Sequence, residues 1–219
     1  MPRRADQEPQ PPAHRPPPQT ARGARTRAAL VAAARVVFER DGFLDSRLVD
    51  ITAEASCAAG TFYTYFDTKE DILEAVLEQV RDDMLHPGLP HVEDAGDASA
   101  VIAASNRAYL EAYRRNAALM GVLEQVAATS ERFVKIREDR ADVFIDRNAR
   151  SIARLQAEGR ADPALDPMVA SRALSGMLSR LAYTYFVSGF VPADVPYETL
   201  VATANRLWCN ALGLPPPPD

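Results

Sequence analysis

The sequence has 219 residues, of which 47% are hydrophobic, so it can supply one large or two small cores and is not disordered throughout. Aromatic residues make up only 7%, and alanine, leucine, arginine and glutamate recur at helical spacing, which favours an all-α fold. A net charge of −5 argues against a protein that coats nucleic acid through an overall positive field.

Compartment and membrane association follow from two further features. The two cysteines, Cys57 and Cys209, lie far apart and offer no paired disulfide framework, which fits a reducing compartment. The first apolar run, "AALVAAARVVF", is short and is interrupted by Arg35, so it resembles neither a signal peptide nor a membrane span. We therefore expect a cytoplasmic protein with no membrane partner.

Residues 1–22 are rich in proline and poor in apolar side chains, which predicts an extended tail. Arginines outnumber acidic residues over positions 1–27. Two interpretations stay open: a solvated tail, or an arm that follows a polyanion.

The next segment predicts three helices, at about 24–41, 47–55 and 59–66. Gly42 follows the first as a stop signal. The second and third are short and separated by very few residues, so they cannot lie antiparallel, which indicates a helix-turn-helix. The first helix carries an apolar stripe of Leu30, Ala33, Ala34, Val37 and Phe38.

A longer fourth helix begins near Asp67 or Thr68, and the Pro/Gly-containing segment 86–97 ends it. This break predicts a head domain over 23–86 and a second domain over 87–214, with a short tail at 215–219. Helical patterns follow at about 98–115, 117–128, 131–158, 166–188 and 196–212.

No pattern of residues predicts catalysis. The sequence has no Gly-rich phosphate loop, no nucleophile elbow and no close Cys–His or His–carboxylate arrangement, so we expect neither an enzyme nor a cofactor. His86 and His91, with Glu93, Asp94 and Asp97, could form a surface metal site, but their spacing matches no usual ligand pattern. We interpret them as a solvated linker and predict no metal.

The segment 59–66 carries the strongest functional pattern. On a helical wheel Phe62 and Phe66 share one face, Gly60, Thr61, Tyr63 and Thr64 lie around the other, and Tyr65 is at the flank. Outward hydroxyls suit DNA because they bond phosphate oxygens, and a threonine methyl packs on thymine. The alternative is an ordinary aromatic core with exposed polar neighbours.

The stretch from Arg27 to Leu77 resembles the N-terminal DNA-binding domain of the TetR (tetracycline repressor) family of bacterial transcription regulators. The resemblance rests on Ala34 with Phe38, on Gly42-Phe43, on Ile51, and above all on G-T-F-Y-x-Y-F-x-x-K-E from Gly60 to Glu70. It implies that Phe62 and Phe66 are structural. It also implies DNA contacts from Arg25, Arg27, Ser46, Arg47, Ala58, Ala59, Gly60, Thr61, Tyr63, Thr64, Tyr65 and Lys69.

Two departures from the family pattern bear on this head. Arg47 stands where the family usually has threonine or serine, so either Ser46 caps the second helix or Arg47 contacts phosphate directly. The turn reads Ala55-Ser56-Cys57-Ala58 instead of the usual A-G-V-S. This places a left-handed residue at Ser56 and removes a hydroxyl at Ala58.

The helical remainder, by the same resemblance, encloses a cavity that senses a small molecule. Candidate wall residues are more often plain core than ligand contacts, although Glu124 and Asn148 are notable because a buried polar group needs a partner that a ligand could supply. The candidates are Tyr109, Tyr113, Met120, Leu123, Glu124, Phe144, Asn148, Met177 and Tyr183.

The last two helices carry broad apolar surfaces and, by resemblance, form a four-helix homodimer interface. The predicted interface comprises Leu174, Leu178, Leu181, Tyr185, Leu200, Ala204, Leu207 and Trp208. The resulting prediction is a repressor released from palindromic double-stranded operator DNA by an apolar or amphipathic effector. The alternative is a dimeric small-molecule-binding or protein-interaction module whose head no longer binds DNA.

Overall fold

The computed structural model describes residues 18–85, 97–190 and 194–215, which form nine α-helices and no strand. The predicted all-α fold is confirmed. The candidate ligands His86, His91, Glu93 and Asp94 and most of both predicted tails lie outside the described residues. The helices are α1 (Ala21–Asp45), α2 (Leu48–Glu54), α3 (Ala59–Tyr65), α4 (Lys69–Leu85), α5 (Ala98–Arg115), α6 (Ala117–Ala127), α7 (Glu131–Ala157), α8 (Pro167–Phe186) and α9 (Tyr197–Leu212).

Contacts within the chain divide it into two compact units, Met1–Val76 and Leu77–Asp219. The division falls inside α4, whereas the sequence predicts a boundary after that helix. A single helix therefore contributes residues to both units.

In the first unit, α1 begins at Ala21 because the Thr20 side chain caps it, accepting a hydrogen bond of 3.1 Å from the Gly23 N–H. The predicted stop at Gly42 takes the form of a kink. Gly42 has φ 75° and ψ 176°, after which one more turn reaches Asp45. The buried side chains of α1 include the whole predicted apolar stripe.

The helix-turn-helix is made by α2 and α3. α2 packs on both α1 and α3, with Ile51 and Phe62 fully buried. The turn between them contains Ser56 at φ 51°, the left-handed conformation that the sequence predicts for this position. A serine here is less favourable than glycine, because a Cβ atom crowds the backbone in this region.

The second unit contains α5 to α9 and the end of α4. α7 lies along α8, α5 packs on α9 and α8, and α6 packs on α7 and α8. Its core includes Ile152, Leu155, Leu174, Trp208 and Leu212. No helix in the described residues is both long and apolar enough to cross a membrane.

Candidate DNA-binding surface and small-molecule cavity

α3 presents the face that its sequence predicts. Phe62 and Phe66 are buried, with ring centroids 5.7 Å apart, while Gly60, Tyr63 and Thr64 are exposed. The Tyr63 ring meets Phe62 edge to face at 5.5 Å, which restrains its direction although the side chain is 52% exposed. The outer face of α3 is thus rigid, rich in hydroxyls and open.

The amino end of α3 is small and bare. Ala58, Ala59 and Gly60 are all exposed, and a Cβ atom added at Gly60 would meet nothing within 4 Å. No side chain caps this helix, since Ala58 at the cap position has no acceptor to offer. Thr61 is half-buried beside them. A partner's backbone or groove wall can therefore approach this end closely.

The start of α1 lies beside the end of α3. A Cβ atom at Gly23 would lie 3.6 Å from the Tyr65 hydroxyl, so Tyr65 reaches the first turn of α1. The Arg27 guanidinium stacks over the Phe66 ring, 5.0 Å from its centroid. Arg25 is exposed on the same stretch of helix. Three predicted contact residues, Arg25, Arg27 and Tyr65, are thus gathered near one edge.

Lys69 does not face outward as a phosphate contact would require. Its ammonium donates to the carbonyl oxygens of Phe43 at 2.6 Å and Ser46 at 2.8 Å, lies 3.5 Å from that of Leu44, and sits 4.4 Å from the Phe43 ring centroid. An ammonium has three donors, and these carbonyls account for them. This geometry favours a structural role for Lys69, at the end of α1, over the predicted phosphate contact.

Ser46 does not cap α2 as the first predicted arrangement requires, and Arg47 pairs with a carboxylate of α2. Ser46 is buried, and its hydroxyl donates to the Phe43 carbonyl at 2.8 Å, so it neither caps α2 nor reaches a partner. Arg47 occupies the cap position, but an arginine side chain has no acceptor to cap with. Its exposed guanidinium instead pairs twice with Asp50, at 2.8 and 2.9 Å, which holds the pKa of Asp50 below its usual range.

The second unit contains a cavity of about 430 Å³, within the range of roughly 300–1,000 Å³ typical of small-molecule sites. Three predicted wall residues do not line it: Leu123 is buried in the core, Met120 is buried against the wall residue Arg140, and Met177 packs against the core cluster around Trp208. Six predicted wall residues line it, namely Tyr109, Tyr113, Glu124, Phe144, Asn148 and Tyr183.

One end of the cavity is polar. Glu124 accepts a hydrogen bond of 3.1 Å from Arg137, and Tyr109 meets Phe144 edge to face at 5.5 Å. Burial raises the pKa of Tyr109 and of Tyr113, and the positive charge of Arg140 opposes both shifts. The Ser179 hydroxyl also opposes the shift at Tyr109. Two protonated phenols and a guanidinium therefore share this end.

Toward the carboxyl end of α7 the wall includes an apolar cluster of Ile102, Ile152, Leu155, Trp208 and Leu212. Asn148, between the two ends, donates to the Ser175 hydroxyl at 3.1 Å. The polarity of the cavity thus changes along its length.

Sequence reasoning missed Arg137, Arg140, Arg147, Ser179 and Trp208 as wall residues. The missed signal lay in the spacing of α7. Arg137, Arg140 and Arg147 recur with Phe144 at intervals of three and four residues, so they occupy one helical face together with an aromatic residue that is itself a predicted wall residue.

The predicted dimer residues divide into two groups. Leu174, Leu178, Leu200, Ala204 and Trp208 are buried within their own protomer, because α8 and α9 pack against α5 and α7. These side chains cannot supply an exposed contact face. Leu181 and Tyr185 are half-buried, and Leu207 is 44% exposed.

Within the described ranges, no three His, Cys, Asp or Glu side chains are grouped to hold a metal ion. Cys209 is buried and Cys57 is half-buried, and both are free thiols.

Comparisons with known proteins agree with this architecture. Residues 30–76 match the family model described as bacterial regulatory proteins, tetR family, and residues 93–193 match that described as tetracyclin repressor-like, C-terminal domain. Together the two matches span more than half of the chain. A comparison with curated proteins finds no significant match.

Solved structures of regulators share the fold at low sequence identity. A transcriptional regulator from Rhodococcus sp. Rha1 is 22% identical with a TM-score of 0.69, covering 87% of this chain and 99% of that one. A regulator from Saccharomonospora viridis, solved in complex with choline, is 16% identical with a TM-score of 0.70, covering 83% and 94%.

SmeT, the repressor of the Stenotrophomonas maltophilia multidrug efflux pump SmeDEF, is 17% identical with a TM-score of 0.63, and the alignment covers 85% of this chain and 89% of SmeT. The fold, the helix-turn-helix and both family matches lead to one conclusion. The chain belongs to the TetR family of DNA-binding transcriptional regulators.

Proposed function

We propose that the protein is a homodimeric repressor that binds an inverted-repeat operator through α3 and leaves it when a small molecule occupies the cavity of the second unit. The observation that carries the DNA-binding part is the outer face of α3. Gly60, Tyr63 and Thr64 are exposed there, and the helix is anchored from behind by Phe62.

The proposed base-reading surface is the small amino end of α3 with the hydroxyls that follow it. Phosphate contacts come from Tyr65 and from Arg25 and Arg27 near the start of α1, since arginine and tyrosine are common phosphate partners. Arg47 can join them with the N–H donors that its ion pair with Asp50 leaves free, since that pair uses only two of five. The base-reading residues are Ala58, Ala59, Gly60, Thr61, Tyr63 and Thr64.

Dimerisation would use the side chains of α8 and α9 that their own protomer leaves uncovered, chiefly Leu207 with Leu181 and Tyr185. A two-fold dimer places two copies of α3 about one DNA turn apart, on the order of 34–36 Å, so the operator would be an inverted repeat.

Effector release rests on the cavity and on α4. This helix begins with Lys69, which is bonded to the end of α1, and it carries Met84 in the cavity wall. A ligand that displaces Met84 can therefore act on a helix that belongs to both units. A coupling of roughly 1–3 kcal/mol would change operator affinity by about 5–150-fold. The repressor role of SmeT and the choline complex of the Saccharomonospora viridis regulator support this class of mechanism.

Selection of binding sites from random DNA duplexes tests the DNA-binding proposal and needs no operator sequence at the outset. We expect the full chain to enrich an inverted repeat. Tyr63→Ala and Thr64→Ala should weaken binding to that sequence by roughly tenfold, as expected for losing about 1–3 kcal/mol of base contact. Thr199→Ala, which removes an exposed hydroxyl on α9, serves as the matched control.

Enrichment of no sequence would contradict the proposal and would favour a small-molecule or protein-binding module with an inactive head. Equal binding by the α3 variants and the Thr199→Ala control would likewise exclude α3 as the reading helix.

A further inference from the structure

Arg140 is the most unusual residue in the cavity wall. Its guanidinium is half-buried, and the hydrogen-bond partners found for it are the thioether sulfur atoms of Met84, at 3.4 Å, and Met120. A guanidinium carries five N–H donors, and thioethers are weak acceptors. No carboxylate of the described residues lies within ion-pair distance of it. The charge is thus partly desolvated without a matching anion.

The surrounding charges do not supply that anion. Glu124 is paired with Arg137 at 3.1 Å, and Glu138 is exposed at the cavity rim. Arg172 pairs with Asp142 at 3.0 Å, and Arg180 lies over the Tyr183 ring. Five arginines therefore line the cavity against two glutamates, so its wall carries a positive excess.

Arg147 adds to this excess on the same face of α7. It lies two turns from Arg140, about 10 Å along the helix axis. Its guanidinium packs 5.2 Å from the Phe144 ring centroid, and burial lowers its pKa. It too has no carboxylate partner among the described residues.

The far end of the cavity supplies a complementary feature. Trp208 is 4% exposed, and its buried indole N–H has no hydrogen-bond acceptor among the described residues. It packs in one apolar cluster with Ile102, Ile152, Leu155 and Leu212, which also line the cavity. An apolar ligand body fits this end, and an oxygen on that body could accept from Trp208.

We propose that the cavity takes an amphipathic monocarboxylate, whose carboxylate pairs with the Arg140 guanidinium and whose apolar body lies along α7 toward Trp208. A carboxylate matches a guanidinium fork with two parallel hydrogen bonds, and such charge-assisted bonds are the strong ones. The Tyr109 hydroxyl at the same end, which is hydrogen-bonded to Ser179, can donate to the carboxylate as well. This inference rests on the proposed function of the cavity as the effector site.

A head-group series tests the proposal with the full-length protein. Octanoate, decanoate and dodecanoate are compared with the alcohols and the alkyltrimethylammonium ions of the same chain lengths. Binding is followed by the emission of Trp208, the single tryptophan of the chain, which lines the cavity. We expect at least one carboxylate to bind roughly tenfold or more tightly than its alcohol and its trimethylammonium analogue.

Arg140→Gln should remove this preference, lowering carboxylate affinity to that of the alcohol while leaving alcohol affinity unchanged. Unchanged alcohol binding also shows that the variant retains its cavity. Arg140→Lys, which keeps the charge but loses the fork, should be intermediate. Arg150→Gln removes an exposed arginine of α7 that does not line the cavity, and it should behave as the parent protein.

The proposal is overturned if no carboxylate of the series binds, if the neutral or cationic analogues bind as well, or if Arg140→Gln keeps the preference. A parallel titration of the DNA complex separates this outcome from failure of the proposed function. Carboxylate binding without DNA release would contradict effector release alone. Release by the alcohol or the cation, but not by the carboxylate, would contradict the assigned ligand class alone.

Discussion

At the residue scale, the Lys69 side chain of α4 hydrogen-bonds to carbonyl groups at the end of another helix, α1. α1 ends without basic residues in its last turn, and its kink at Gly42 leaves carbonyl groups without helical partners. The Lys69 ammonium, at the start of α4, donates hydrogen bonds to the carbonyl oxygens of Phe43 and Ser46. Because hydrogen bonds to a charged group stabilise more than neutral ones, this contact ties the helix-turn-helix to α4.

We expect Lys69→Ala to destabilise the first unit by about 1.5–3 kcal/mol, because the carbonyls of residues 43–46 lose a charged donor. Hydrogen exchange of amides in this segment and in α2 should accelerate accordingly. Lys135→Ala is the matched control, since Lys135 is the second of the two lysines in the chain and is exposed on α7.

A different result would restore the phosphate contact predicted from the sequence. If Lys69→Ala leaves exchange of residues 43–54 unchanged but flattens the salt dependence of operator binding by about one charge, the ammonium acts on DNA and not on α1.

At the element scale, α8 and α9 direct most of their apolar surface into their own unit. Leu174 and Trp208 belong to one core cluster, and Asn106 of α5 donates to Asn205 of α9 at 3.1 Å inside the protomer. Only the remaining surface is available to a second copy. On α9 this surface contains one large exposed hydrophobic residue, Leu207.

We expect Leu207→Glu to convert the proposed dimer to monomers, because a two-fold interface brings the introduced charge of both copies into one desolvated patch. Sedimentation equilibrium measures the change. Val36→Glu is the matched control: Val36 has the same 44% exposure but lies on α1. A dimer of unchanged affinity with Leu207→Glu would place the interface on another surface.

At the scale of the whole molecule, the chain comprises two compact units, and the second contains the half-buried Tyr109 and the buried Tyr113. Burial raises the pKa of Tyr109 and Tyr113, so these phenols stay protonated in the folded second unit at a pH where they would ionise in the unfolded chain, near 10. Their contribution to stability is therefore complete below about pH 10 and is lost as the pH rises above it.

Above pH 10, we expect the free energy of unfolding of the second unit to fall by up to about 1.4 kcal/mol per pH unit for each phenol that stays protonated. Urea unfolding followed by Trp208 emission measures this loss, since Trp208 lies in that unit. The Tyr109→Phe, Tyr113→Phe double variant should lose less stability over the same pH interval. An equal loss in the parent and the double variant would show that other groups control the alkaline transition.

Several features of this protein were predictable because they depend on local sequence alone. The all-α fold, the inward phenylalanines and outward hydroxyls of α3, and the left-handed turn at Ser56 follow from helical periodicity and from backbone sterics. Each involves residues within a few positions of one another.

Other features depended on which surfaces meet, and periodicity does not contain that information. The sequence predicts an exposed lysine at the start of α4, but in the folded chain α1 ends beside it. The sequence also predicts an interface on the apolar face of α9, but α5 packs against that helix. In the sequence, Arg140 is indistinguishable from an ordinary surface charge, but in the folded chain its guanidinium contacts the sulfur atoms of Met84 and Met120. Sequence alone thus determined the helices and the outward face of α3. Only tertiary packing, by bringing residues distant in sequence together, decided which charges and apolar faces are covered.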